Sequence, residues 1–243
     1  MAAMVCASQA HAAYEVPAGE IGDMDGATID LACEDLVVNG TLNASGSTFT
    51  NAGNVLIGAG GVFNANQTNI DVALGWTTSA GGVLNASDSM VQVTNACGNS
   101  ATTFTGNVTF DKLSAVVSGH TVSVASGTEL TVSGALTLKG VSVLKQGDAI
   151  ALLTLQSGGT QDVADVGVDG VNATNGQHLA PLLDNLITGG VADNWFRGAG
   201  PTPPPGDVTP IPTMGPVGMG LMGLLIAFAA GLSRRFFARS DSH

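Results

Sequence analysis

Three hexapeptides constrain this chain more than any other feature: GTLNAS at residues 40–45, GVFNAN at 61–66 and GVLNAS at 82–87. Their leading glycines, Gly40, Gly61 and Gly82, are 21 residues apart, twice in succession. A fixed period near 20 residues marks a solenoid, in which each repeat is one coil that buries its apolar side by stacking on its neighbours. Equal offsets carry like residues. Leu42, Phe63 and Leu84 come two positions after the glycine, and Asn43, Asn64 and Asn85 three. Phe49, Ile70 and Val91 come nine after it; Val55, Trp76 and Cys97 come fifteen after it. Stacking turns these sets into columns. The apolar ones are predicted to fill the interior, and the asparagines to form a hydrogen-bonded ladder at a turn.

Beyond residue 103 the strict period fades, but the texture persists. HTVSVASGTELTVSGALTLKGVSVL alternates apolar and polar residues between glycines, the period-two signal of short strands. Ile150 to Leu155 and QDVADVGVDGVNAT read as further strands and turns. The one helical candidate of the body is His178 to Ile187. Charged residues make up only 11% of the chain and aromatics 5%, while glycine supplies 34 positions. That composition suits short strands and tight turns rather than a helical globule. The fold class expected is all-β, a parallel β-helix or β-solenoid with 21-residue coils, followed by a C-terminal hydrophobic transmembrane helix. The net charge is −12, and before Leu232 four basic residues face eighteen acidic ones. Such a body repels nucleic acid.

Both ends carry targeting signals. Ala10-His11-Ala12 fits an A-x-A cleavage pattern, with the cut expected between Ala12 and Ala13. The segment before it lacks a basic n-region, so Met1 is read as an internal start and residues 1–12 as the remnant of a signal peptide. At the far end no charge occurs from Val208 to Ser233, and Val217 to Leu232 is densely apolar. Arg234, Arg235 and Arg239 follow. An apolar helix closed by arginines stops in the membrane with the arginines on the cytoplasmic side, which places the body outside. GAGPTPPPGDVTP before it is an extended linker. The domains expected are thus a cap with the first strands at 13–39, the repeat body at 40–196, the linker at 197–210 and the tail at 211–239.

Ile211-Pro212-Thr213-Met214, followed by that helix and its arginines, resembles the IPTL-type C-terminal sorting signal (IPTL-CTERM) of Gram-negative bacteria, with Met214 where the family usually has leucine. The resemblance implies processing by an exosortase-type membrane transpeptidase as partner, with a transient stay in the inner membrane. GWTTSAGGVLNASDSMVQVTNACG, TFTGNVTFDKL and SGGTQDVADVGVDGVNAT resemble the β-repeat regions of bacterial surface proteins that carry the same tail. No activity travels with those repeats.

Candidate chemistry is sparse. Asp23-Met24-Asp25-Gly26 with Glu34 suggests a calcium loop, but Ala27 and Thr28 stand where an EF-hand needs a ligand and a glycine; a polar turn is expected. Asp162, Asp165 and Asp169 read as surface turns. His120 and His178 are the only histidines of the body, residues 13–196, and no nucleophile elbow, zinc motif or phosphate loop accompanies them. No cofactor is implied. Cys33 and Cys97 pose a conflict. An even cysteine count in an exported chain invites a disulfide. Yet 64 residues is close to three periods, and three coils at about 4.8 Å would part them by roughly 14 Å, beyond disulfide reach. The pairing stays open, since residues 20–39 could fold back. The function expected is non-enzymatic: an exported, cell-surface structural or adhesive protein, in contact with exopolysaccharide. The alternatives are a polysaccharide-degrading β-helix enzyme, which needs clustered carboxylates in a groove, and a carbohydrate-binding module, which would rely on Tyr14 and Trp195.

Overall fold

The computed structural model describes residues 13–181, 187–189 and 192–196. Among them no residue is helical, and the chain winds as a parallel β-solenoid with three faces. Coil 1 holds β1 (Tyr14–Val16), β2 (Ile21–Asp23) and β3 (Thr28–Asp30), one on each face. Coils 2 to 4 follow with β4 (Leu36–Val38), β5 (Thr41–Asn43), β6 (Thr48–Ile57), β7 (Val62–Asn64), β8 (Asn69–Thr78), β9 (Val83–Asn85) and β10 (Met90–Val93). β6 and β8 run round the corner from the third face of one coil to the first face of the next, with register irregularities at the bend. Coils 5 and 6 hold β11 (Ala101–Thr105), β12 (Val108–Ala115), β13 (Thr121–Ala125) and β14 (Glu129–Lys139). The stack continues through β15 (Ser142–Gln146), β16 (Ala151–Leu155), β17 (Thr160–Ala164), β18 (Gly167–Asp169), β19 (Val171–Asn172) and β20 (Ile187–Gly189).

The repeat sets the register. Leu42 pairs with Phe63 and Phe63 with Leu84, while Phe49 pairs with Ile70 and Ile70 with Val91. Leu42, Phe63, Phe49, Ile70 and Val91 are all buried; Leu84 is half-buried. Phe63 meets Phe49 edge-on, with ring centroids 5.9 Å apart. The asparagines form the expected ladder: Asn64 Nδ2 donates to Asn43 Oδ1 and Asn85 Nδ2 to Asn64 Oδ1, each at 2.8 Å. A second 21-residue recurrence accompanies it. Ser47, Thr68 and Ser89 are buried hydroxyls at the next corner, and they donate to the carbonyls of Met24, Ala44 and Ala86 respectively. The Met24 and Ala44 carbonyls also accept turn bonds from Ala27 and Ser47 N–H, so the hydroxyls find their own partners at carbonyls that have a second lone pair.

Three readings from the sequence change. Residues 14–38 are themselves stacked coil: Tyr14 registers on Leu36, Gly22 on Leu42 and Ile29 on Phe49. The fifteen-offset column holds Val55 and Trp76 but not Cys97, because Trp76 registers on Phe104. Residues 94–100 are an insertion at the corner between the third and first faces, and Cys97 rides on it. The helix proposed for His178 to Ile187 is not formed where it is described, since Leu179 bridges to Trp195 and β20 starts at Ile187. Residues 182–186 lie outside the described set.

Candidate functional site

On the second face the ladder stops at β9, where the four-stranded sheet β2-β5-β7-β9 ends among the described residues. In coil 4, residues 78–89 fill the path from Thr77 to Met90; in coil 5, residues 106–111 fill the equivalent path from Thr105 to Lys112. Twelve positions are thus replaced by six. Coil 4 uses the longer path to enter its second face through Gly81, at φ 87°, and to lay down β9. Coil 5 turns at Gly106 alone, where φ is 80° and a side chain would overlap the Thr78 carbonyl oxygen. Only glycine fits both demands. Beyond it, β12 runs straight from the second face to the third.

The shortcut recesses β12 beneath β9. Its interior is filled by bulk: Phe110 packs edge-on against Trp76 at 5.0 Å and against Phe104 at 6.0 Å, all three fully buried. On the outside it leaves a notch walled by β9 and β14 and floored by β12. Adjoining hollows of about 290, 390 and 410 Å³ lie along it. Leu84 owes its partial exposure to this step, and Val83 is 43% exposed. The polar side chains of the lining are hydroxyls and amides, with one carboxylate towards each end, Glu129 and Asp111. Glu129 Oε1 accepts from Thr154 Oγ1 at 2.8 Å and from Asn175 Nδ2 at 3.1 Å. Asp111 Oδ1 accepts from Ser133 Oγ at 3.2 Å. Ser133 is four positions along β14 from Glu129, roughly 13 Å of strand at about 3.3 Å per residue, so the two carboxylates mark opposite ends of the notch.

Cys33 and Cys97 are disulfide-bonded, with Cα atoms 5.6 Å apart. Both occupy the corner between the third and first faces, in coils 1 and 4. The insertion resolves the conflict between parity and geometry, for the seven residues 94–100 carry Cys97 back across the two intervening coils. Asn99 pins that strap, its Nδ2 donating to the carbonyls of Ala73 at 2.7 Å and Ala101 at 3.0 Å. At the Cys33 end, Asp30 accepts from Asn51 Nδ2 and from Ala32 N–H. Those two bonds, Asn51's first, hold the Asp30 carboxyl below the usual range.

His120 is 2% exposed and lies 2.9 Å from Thr102 Oγ1 through its Nε2. The Thr102 hydroxyl donates its single hydrogen to the Ala73 carbonyl, so Nε2 carries the proton and donates to Oγ1. The ring is a neutral structural donor beneath the strap, and burial holds its pKa below the ordinary 6.5. An unfolded chain therefore takes up a proton that the folded one resists. Stability should be full above about pH 6.5 and should fall as the pH drops below it. Chemical denaturation of the wild-type chain and of His120→Gln between about pH 8 and pH 5 checks this: the substitution should flatten the dependence.

The remaining candidates are scattered. His178 is exposed and bonds the Phe196 carbonyl, as a turn residue. Asp25 accepts from Ser45 N–H at 2.7 Å within the polar turn. No group of three or more His, Cys, Asp or Glu side chains able to hold a metal occurs among the described residues, so neither Asp23, Asp25 and Glu34 nor Asp162, Asp165 and Asp169 form one. Trp76 is interior and Trp195 is 4% exposed, which leaves half-buried Tyr14 without a partner platform. Ala13 is exposed at the start of the described chain. Ala12, the motif Ile211 to Met214, the segment Val217 to Leu232 and Arg234, Arg235 and Arg239 lie outside the described residues. No family model, curated protein or solved structure matches the chain.

Proposed function

We propose that this chain is an exported, non-enzymatic β-solenoid of structural or adhesive role. Its tail, residues 211–239, holds it in the inner membrane until an exosortase-type transpeptidase acts at Ile211-Pro212-Thr213-Met214. It is then displayed at the cell surface, in contact with exopolysaccharide. The observation that carries this reading is the Cys33–Cys97 bond. Disulfides form and persist in oxidising compartments outside the cytoplasm, in keeping with an A-x-A site before Ala13 and a stop-transfer tail. A glycoside-hydrolase reading has less support: it needs two carboxylates facing one scissile bond, and Glu129 and Asp111 line opposite ends of the notch, each already hydrogen-bonded within the fold.

The tail supplies the test. Replacing Arg234, Arg235 and Arg239 by glutamine should loosen membrane retention, because charged residues at the end of an apolar helix resist translocation. Changing Pro212 and Thr213 to alanine should leave insertion intact and abolish processing. The mass of the surface-localised protein decides between outcomes. A mature form ending near Thr213 supports sorting by cleavage, whereas one retaining His243 makes the tail a permanent anchor and removes the transpeptidase from the scheme.

A further inference from the structure

Inside a solenoid each strand edge is consumed by the next coil. β9 departs from this. Val83 N–H donates to the Gly61 carbonyl and the Asn85 carbonyl accepts from Ala65 N–H, so both residues are bonded back to coil 3. A parallel strand directs alternate residues to opposite neighbours. Leu84, between them, therefore turns its own N–H and C=O towards coil 5, and there the four-stranded sheet β2-β5-β7-β9 ends. No ladder joins β9 to β12 among the described residues. The six-residue shortcut has left a bare parallel edge in mid-solenoid, facing the notch that β9 and β14 wall.

We propose that this notch docks one extended, basic polypeptide segment of a partner protein, which adds to β9 as the fifth strand of that sheet. Unpaired strand edges bind through main-chain hydrogen bonds, and pockets for alternate side chains give selectivity. Leu84 provides the donor and acceptor, and its half-buried side chain beside exposed Val83 provides the apolar contact. The charge requirement comes from the walls. Glu129 lies towards one end and Asp111 towards the other, four strand positions apart. One base stands beside them: Lys112 Nζ lies 3.7 Å from Asp111 Oδ2 and 3.9 Å from Asp88 Oδ1, so Glu129, Asp111 and Asp88 outnumber it three to one and the notch keeps a negative balance for a basic ligand. A ligand strand with basic residues at i and i+4 meets both carboxylates at once. A glycan is the poorer fit, since no aromatic ring lines the notch for a sugar to stack on. Docking at this edge is independent of where the chain is exported and of how its tail is processed.

The experiment is fluorescence anisotropy of the full-length chain with a labelled Thr-Lys-Thr-Val-Thr-Lys-Thr peptide. Saturable binding is expected. It should weaken about tenfold when both lysines become glutamine, and by a similar factor in the Glu129→Gln/Asp111→Asn protein. Methylating alternate backbone nitrogens of the peptide should abolish binding, and this control leaves the protein untouched. Leu84→Pro is the matching change on the other side, because it removes an N–H that has no partner among the described residues. Four results would overturn the proposal: no binding; equal binding by the N-methylated peptide, which would reduce the effect to charge; displacement by neutral cellohexaose, which would make the notch a glycan site; or self-association of the chain that excludes the peptide.

Discussion

Replacing Phe63 with alanine is expected to destabilise the body by about 3–5 kcal/mol, near the top of that range. Phe63 is wholly buried, it sits in register between Leu42 and Leu84, and it meets Phe49 edge-on. The size of the effect depends on whether the structure can close around the missing ring. In a helical core neighbouring elements shift inwards. Here the coils above and below are held at about 4.8 Å by parallel ladders on several faces, so the void stays open and the lining atoms lose their contacts outright. Leu84→Ala is the internal comparison. It removes a side chain from the same column, but one that the notch already leaves half exposed, so its cost should be less than half as large. Urea denaturation of the two variants tests both statements. Near-equal losses would mean that the notch is closed in solution, and a near-neutral Phe63→Ala would refute the interior column itself.

What could be read from the sequence follows from what repetition encodes. Gly40, Gly61 and Gly82 announce coil length, and the columns through Leu42 and Phe49 follow from it, as does the Asn43–Asn64–Asn85 ladder. The buried hydroxyl column of Ser47, Thr68 and Ser89 recurs with the same period and was equally legible. It was masked because serine and threonine saturate the whole stretch. Departures from the period are a different matter. The seven-residue insertion at 94–100 and the six-residue shortcut at 106–111 nearly cancel in chain length, so Val91 still registers on Leu113 only 22 residues later. A period search crossing both sees a blurred repeat and cannot tell which corner gained residues and which face lost them. The notch and the strap both arise from those compensating changes, which is why the candidate site was hidden while the fold was plain. The cue that was present is the double glycine, Gly60-Gly61 and Gly81-Gly82, which gives way to the single Gly106.

Breaking the Cys33–Cys97 bond should cost about 4 kcal/mol by loop-closure entropy, since it closes a sequence separation of 64 residues. How that loss is distributed matters more than its size. A solenoid is stabilised by nearest-neighbour contacts, so its terminal coil frays first. Coil 1 is poorly protected against this: Ile21 is 72% exposed, Ile29 and Met24 are only partly covered, and β2 is an edge strand of its sheet. The disulfide is a tie of a different kind, since it joins coil 1 directly to coil 4 through the strap that Asn99 pins to Ala73. With the bond intact, coil 1 cannot leave without pulling on coil 4, and the first four coils open as one unit. With Cys33→Ser, Cys97→Ser or both, that coupling disappears. Amide exchange should then rise first in β1 to β3 and in the strap, while β14 to β18 keep their protection. The single and double variants should behave alike, because each removes the same bond. Uniform acceleration along the whole body would instead show that the solenoid opens as one unit and that the bond stabilises it only through the unfolded chain.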